Sequence, residues 1–313
     1  MAGKGKAKTK PIRQKFSWNL MWKQRYLLMM SVPFVIWLII FKYIPLWGWT
    51  MAFQEVKPAS FSKSFFEREF VGFENFIKAF NDRLFDQTMI NTIGISLIGL
   101  VLGTVMSVLF AILLNELVFS GFKKLTQTVS YLPHFVSWVI IASIAKNFLN
   151  DGGVIDTMVG TRLQLMSTNS PLIWLVIVLI EIWKETGWNA IIYLSAIAGI
   201  DTGLYEAAKV DGANRFQRIW HINVPVLMPT VIILLILQVG SLLGVGYEKA
   251  FLLQNSPNIS ASEIISTYVY KVGLEQADFS FGTAAGIFNS LVNTLLLCAT
   301  NWISKKVTDT GLF

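Results

Sequence analysis

Three ionisable residues, Glu181, Lys184 and Glu185, stand at i, i+3 and i+4 inside an otherwise apolar run, so a helix would set all three on one face. Trp183, Trp188, Asn189 and Tyr193 accompany them. Charges within an apolar run of membrane-spanning length are costly and normally face a bundle interior or a water-filled cavity. Two arrangements meet that constraint. One is a polar and aromatic path for a solute; the other is a Glu–Lys–Glu clamp that packs this helix on a neighbour while the aromatic rings face lipid. Bond-breaking chemistry finds less support. His134 and His221 have no carboxylate or cysteine arrangement around them in sequence, so neither reads as a metal ligand or catalytic base. Cys298 is the sole cysteine, which excludes an intrachain disulfide and a cysteine metal site. No G-x-x-x-x-G-K-[ST] phosphate loop occurs.

A second group lies in EAAKVDGANRFQRIWHINVP, residues 206–225. Asp201 can cap a helix starting near Thr202, because its carboxylate accepts from the free N–H groups of the first turn. Leu204, Tyr205, Ala208 and Gly212 follow at helical spacing, and Glu206 and Lys209 fall on a neighbouring face. Asp211-Gly212 is a turn pair that ends the helix. A second helix is expected from Asn214, with Phe216, Ile219 and Trp220 on one side, broken by Pro225. A small-residue surface beside a large aromatic one suits docking into a groove on a soluble partner. An amphipathic helix lying on the membrane shares the pattern.

The elements that must position these groups are membrane spans. Hydrophobic residues make up 54% of the chain and charged ones 14%, against roughly 25% in ordinary soluble domains, and the mean hydropathy is +0.55. Six apolar segments approach the ~20 residues needed to cross a bilayer, at about 26–46, 89–114, 126–148, 172–197, 226–246 and 283–303. The segments before span 1 and after spans 2, 4 and 6 carry fifteen Lys and Arg, against nine in the intervening loops. That asymmetry puts both termini in the cytoplasm, together with 198–225.

The chain then divides into a basic tail over 1–25, a first span with an extracytoplasmic loop over 26–88, a five-helix core over 89–303 and a short tail over 304–313. The basic tail reads as a topology determinant touching anionic lipid, not as a nucleic-acid arm, and the first span as a retained anchor. The outer loop 47–88 holds Phe61, Phe65, Phe66, Phe70, Phe73 and Phe76, which predicts a small packed cap. Asp151-Gly152-Gly153 is a turn signal in another outer loop.

Glu206-Ala207-Ala208, three residues, Gly212, nine residues and Ile222-Asn223-Val224-Pro225 together resemble the EAA signature of ABC-importer permeases. Val224 replaces the family's usual leucine, and Thr202 replaces a common proline. VGFENF (71–76) with Asn91-Thr92, YLPHF (131–135), IWKETGWNAIIYLSAIAGID (182–201) and FGTAAGIFNSLVNTLLL (281–297) extend the resemblance over most of the chain. They are similar to the carbohydrate class, within it the complex-saccharide permeases of lipopolysaccharide/polymannan type.

The resemblance implies an all-α membrane protein of six transmembrane helices in a bacterial cell membrane. It implies one half of a pore for an oligosaccharide or complex saccharide, paired with a second homologous permease. Its other partners would be two cytoplasmic ATPase subunits and an extracytoplasmic solute-binding protein. No cofactor is expected on this chain; ATP and magnesium would sit on the ATPases. Residues Tyr205, Glu206, Ala207, Ala208, Asp211, Gly212, Ala213, Asn214 and Phe216 would form the coupling helix in an ATPase cleft. The path in spans 3 to 6 would use Glu181, Trp183, Lys184, Glu185, Trp188, Asn189 and Tyr193, since a sugar needs aromatic faces for its C–H surfaces and polar groups for its hydroxyls. A self-sufficient secondary transporter or channel is the alternative, but it leaves the helix–Gly–helix unexplained and no matched inverted halves are visible. A membrane-embedded enzyme is the third reading and lacks any catalytic constellation.

Overall fold

A computed structural model describes residues 18–63, 67–167, 170–244, 246–308 and 311–312, and among them every regular element is helical. Most of the basic tail, together with Phe65, Phe66 and the Phe61 side chain of the expected cap, lies outside the described residues.

The chain divides into two compact units, 1–50 and 51–313. From Trp18, α1 (Trp18–Lys23) leads into α2 (Arg25–Phe53), of which residues 25–50 fall in the first unit. Helix α2 begins as an α-helix, widens to a π-turn at Ile39–Tyr43 and tightens to a 3-10 helix from Ile44. The Arg25 guanidinium lies 4.9 Å from the Tyr26 ring and 5.7 Å from Trp22, a cationic and aromatic collar at the start of an apolar helix.

The second unit contains α3 (Glu74–Asn81), α4 (Arg83–Glu116), α5 (Ser120–Phe135), α6 (Trp138–Leu149), α7 (Val154–Val159), α8 (Leu172–Ala198), α9 (Thr202–Val210), α10 (Arg215–Val239), α11 (Tyr247–Leu253), α12 (Ile259–Ser262), α13 (Ile265–Tyr270) and α14 (Phe279–Thr308). Helices α2, α4, α10 and α14 are long and apolar enough to cross a membrane. Helix α8, at 27 residues, has the length as well, with Glu181, Lys184 and Glu185 at its middle.

Two expectations are corrected. The third span is not one straight helix: α5 and the helix that follows meet at 99°. Pro133 near the end of α5 has no N–H to continue the ladder, and Ser137, in extended conformation, starts α6 anew by accepting from the Ile140 N–H. Conversely, Pro225 breaks nothing. A π-turn at Ile219–Asn223 shifts the hydrogen bonding just before it, so the missing N–H is absorbed and the helix continues from Arg215 to Val239. The fifth span therefore begins inside the stretch expected to be a separate loop helix.

The core runs along α4 and α8, which pack over most of their lengths. Ile95 of α4 meets Ile173, Ile177 and Val178 of α8 in a cluster completed by Ala142, Ala145 and Leu253, while Ala111 and Ile112 meet Ala190, Tyr193 and Ile197 further along. Helix α5 approaches α8 at Gly187, where a Cβ would stand 2.1 Å from the Ser130 carbonyl oxygen. Only glycine permits that backbone contact. The expected cap forms in part: Phe53, Phe73 and Phe76 pack ring on ring, and the buried Asn75 amide donates to the Ala52 and Gln54 carbonyls.

Candidate functional site

The stripe Glu181, Glu185, Asn189 and Tyr193, each four residues from the last, lines a cavity of about 260 Å³ in the middle of the second unit. Ser96, Thr104 and Ser107 of α4 face it with Gly99 and Gly103, and Gln238 of α10 and Lys249 of α11 complete its polar wall. Glycines and short hydroxyl residues on α4 leave the room that α8 fills with longer groups. The Thr104 hydroxyl is buried with no hydrogen-bond partner among the described residues.

The charges in this wall are paired. Lys249 is only 4% exposed and its ammonium lies 2.5 Å from the Glu181 carboxylate. Gly246 makes this possible: its φ of +97° suits glycine, and a Cβ there would strike the folded Lys249 stem at 2.3 Å. Glu185 accepts from Lys184 at 3.2 Å and contacts His134 Nδ1 at 2.7 Å. Lys184 also donates to the His134 carbonyl at 2.5 Å and the Pro133 carbonyl at 3.4 Å. Both carbonyls belong to the last turn of α5, where the ammonium meets the negative end of the helix; that of Pro133 also accepts from the Val136 N–H at 3.2 Å.

Of the seven residues expected on the path, four line the cavity. Helix geometry explains the other three. Relative to Glu181, Glu185, Asn189 and Tyr193 advance through about 120°, whereas Lys184 and Trp188 fall on the opposite flank and Trp183 about 200° away. Lys184 is the clamp. Trp188 stacks on His134 at 4.3 Å with parallel rings and meets Phe135 edge to face. Trp183 is exposed. The cavity-lining residues and the Lys184 clamp thus occupy different flanks of one helix.

The helix–Gly–helix stretch lies at the far end of the same bundle. Asp201 caps α9 by accepting from the Gly203 N–H at 2.9 Å. Gly212 ends it with φ +77°, while the Ala213 N–H reaches back to the Ala208 carbonyl at 2.8 Å. Asn214 and Gln217 then form a reciprocal capping box that opens α10. The inner face is fixed: Tyr205 packs with Ile219 and Ile222 on Ile197, Ile200 and Leu227, and its hydroxyl donates to the buried Asn223 side-chain oxygen. Burial raises the Tyr205 pKa, aided by the nearby Glu116, so the hydroxyl remains a donor at neutral pH. The outer face carries Glu206, Ala207, Asp211 and Phe216, the last 84% exposed. The Glu206 side chain makes no hydrogen bond to the described residues. A Cβ on Gly212 would likewise meet nothing within 4 Å, so only its backbone angle is required internally.

The family described as "Binding-protein-dependent transport system inner membrane component" matches residues 99–309. The chain belongs to that family. It is 38% identical to the polygalacturonan/rhamnogalacturonan transport system permease protein YteP of Bacillus subtilis (strain 168) over 298 residues, 93% of this chain and 91% of the relative. With protein LplB of the same organism the identity is 39%, over 93% and 92% of the two chains. A crystal structure of a bacterial ABC transporter involved in import of the acidic polysaccharide alginate superposes with a TM-score of 0.85 at 34% identity, covering 93% of this chain and 99% of that one. A second structure, of a bacterial alginate ABC transporter in complex with alginate pentasaccharide-bound periplasmic protein, gives 0.85 at 35% identity and covers 94% and 99%. The protein is a multi-pass membrane permease of the carbohydrate ABC importers.

In this permease the polar wall exceeds the residues the α8 pattern singles out. Lys249 lies 68 residues from Glu181 and reads in sequence as part of an outer loop. The signal for it was indirect: a carboxylate inside a span needs a cation, and Lys249 follows a glycine within an apolar flank. His134 carried no such signal, because its partner Glu185 is distant in sequence.

Proposed function

We propose that the permease forms one half of the pore of an ATP-driven oligosaccharide importer, paired with a homologous second permease, with both termini in the cytoplasm. The α4–α8–α10 cavity contributes this subunit's share of the path, its hydroxyl and carboxamide groups facing sugar hydroxyls and Tyr193 offering an aromatic face. An extracytoplasmic binding protein delivers the saccharide, and two cytoplasmic ATPases carrying ATP and magnesium drive alternating access through α9, Gly212 and the start of α10. The observation that carries the reading is the asymmetry of that element. Its inner face is bonded down through Tyr205 and Asn223, while Glu206, Ala207 and Phe216 point away from the chain. An interfacial helix would present a basic polar face and a lipid-facing apolar one. Here the outward residues of α9 intersperse acidic (Glu206, Asp211), basic (Lys209), small (Ala207) and aliphatic (Leu204, Val210) side chains around the axis, with no such division into two faces. Relatives that transport polygalacturonan or alginate support a complex saccharide as cargo.

The test is reconstitution with ATPases and binding protein. Gly212→Val forces a β-branched residue to φ +77°, a strain of roughly 1–3 kcal/mol, and should detach or uncouple the ATPase while the spans still insert. Wild-type ATPase retention and uptake in this variant would overturn the coupling role. Asn189→Ala, in the cavity wall, should lower uptake about tenfold or more with the complex intact, at the cost of a hydroxyl partner. Trp183→Ala, outside the wall, should change it less than twofold. The reverse order would move the path off this cavity.

A further inference from the structure

Helix α11 has a second cavity on its other side. Tyr247 and Lys249 are two residues apart, so their side chains leave the helix about 200° apart. Lys249 closes the polar cavity, whereas Tyr247 lines a separate space of about 440 Å³. Tyr270 lines that space with it, beside the Thr283 hydroxyl. The Tyr247 and Tyr270 rings meet at 5.4 Å and 60°, and Phe251 stacks behind Tyr247 at 17° and meets Tyr270 edge to face, so both tyrosine rings are held from behind. The wall between α13 and α14 is bare backbone at Gly273 and Gly282, where a Cβ on Gly282 would stand 2.8 Å from Gly273. A π-turn, Lys271–Glu275, ends α13 at this point.

The polar cavity, at about 260 Å³, is below the ~300–1,000 Å³ that holds an ordinary small ligand, and an oligosaccharide is longer than that. On the reading that the cargo is an oligosaccharide, the rest of it must lie elsewhere while its leading unit occupies the polar cavity. We propose that the Tyr247–Tyr270 cavity is a second saccharide subsite, which takes further sugar rings of the same oligosaccharide by stacking on the two tyrosines. Rigid aromatic faces suit the C–H surfaces of pyranose rings. The Thr283 hydroxyl, which donates to the Phe279 carbonyl at 2.7 Å, keeps its lone pairs for sugar hydroxyls.

The experiment is import by the full reconstituted transporter of two ladders, galacturonate and mannuronate oligomers, each from disaccharide to pentasaccharide. Tyr247→Ala and Tyr270→Ala should each lower pentasaccharide import about two- to tenfold, the range of one aromatic stack, and leave disaccharide import within about twofold of wild type. The corresponding Phe variants keep the stacking face and should behave as wild type. An unchanged length profile, or equal loss at every length, would overturn the subsite. Loss of co-purification with the second permease would instead make the cavity a subunit contact and overturn it too. Import of neither ladder by wild-type transporter would strike the saccharide reading itself, and the subsite with it.

Discussion

Charge is handled in opposite ways in the cavity wall and in the helix–Gly–helix of the permease. In the cavity wall, Glu181 is held by Lys249, and Glu185 by Lys184 and His134. On α9, Glu206, Lys209 and Asp211 stand exposed with no side-chain hydrogen bond or ion pair to the described residues. The difference follows from the surroundings. Within a membrane an unpaired charge is expensive, so the chain must supply both members of each pair. At an aqueous end, water satisfies a lone carboxylate, and the group stays available to something outside the chain. The charges of the cavity wall are therefore balanced within the chain, while those of the helix–Gly–helix are left to water or to a group outside the chain.

The largest effect expected from breaking this contrast is at Lys249. Lys249→Ala leaves the partly buried Glu181 carboxylate in the cavity wall without its cation, a loss of about 1–3 kcal/mol, and should cut the yield of folded protein extracted from membranes. Adding Glu181→Gln removes the stranded charge and should recover most of the yield, though not uptake. If the single variant melts as wild type does, the pair is not the internal balance described above.

The same contrast governs what could be read in the sequence. The caps of the helix–Gly–helix are local: Asp201 bonds two residues away, Gly212 sets one backbone angle, and Asn214 and Gln217 satisfy each other across three residues. Each of these depends on residues within one turn, so pattern alone places them. Pro225 misleads because its usual consequence is overridden by a π-turn, which no local propensity announces. In the cavity the four-residue stripe Glu181, Glu185, Asn189 and Tyr193 was available from helical period, but Trp183, Lys184 and Trp188 could be set apart from it only by knowing where α5 and α4 lie. The break after Phe135 hides in an apolar run and ends α5 at the very carbonyls that claim Lys184. Long-range partners, not residue types, were the missing information.

A smaller effect is expected where the two regions join. Tyr205→Phe removes the hydroxyl that bonds Asn223, which is fully buried and whose amide nitrogen has no partner among the described residues. The loss should be about 0.5–1.5 kcal/mol, seen as a lower melting temperature with ATPase binding weakened only modestly. The raised Tyr205 pKa fixes the sign of the pH response. The hydroxyl's contribution is fully present below the ordinary tyrosine value of ~10 and is lost as pH rises through the higher folded value. Wild type and Tyr205→Phe should therefore converge in stability at strongly alkaline pH. A constant gap across that range would mean that the hydroxyl bond is not what ties the element down.

The smallest effect on the permease alone is expected at Phe216, and it sharpens the contrast most. The side chain is 84% exposed and makes no ring contact with the described residues. Truncation to alanine removes nothing the chain itself uses, so Phe216→Ala should melt within about 0.5 kcal/mol of wild type. An exposed aromatic beside small residues is also the kind of anchor that fills a partner's pocket, where losing it costs about 2 kcal/mol or more. The variant should thus bind the ATPase on the order of thirtyfold more weakly while its own stability is unchanged. Titrating purified ATPase against permease in nanodiscs, beside a melting curve of permease alone, separates the two quantities. Weakened binding with unchanged melting is the signature of a residue that serves only the partner. If the ATPase binds Phe216→Ala as it binds wild type, Phe216 is not an anchor and the outward face makes its contact through Glu206, Ala207 and the turn at Gly212.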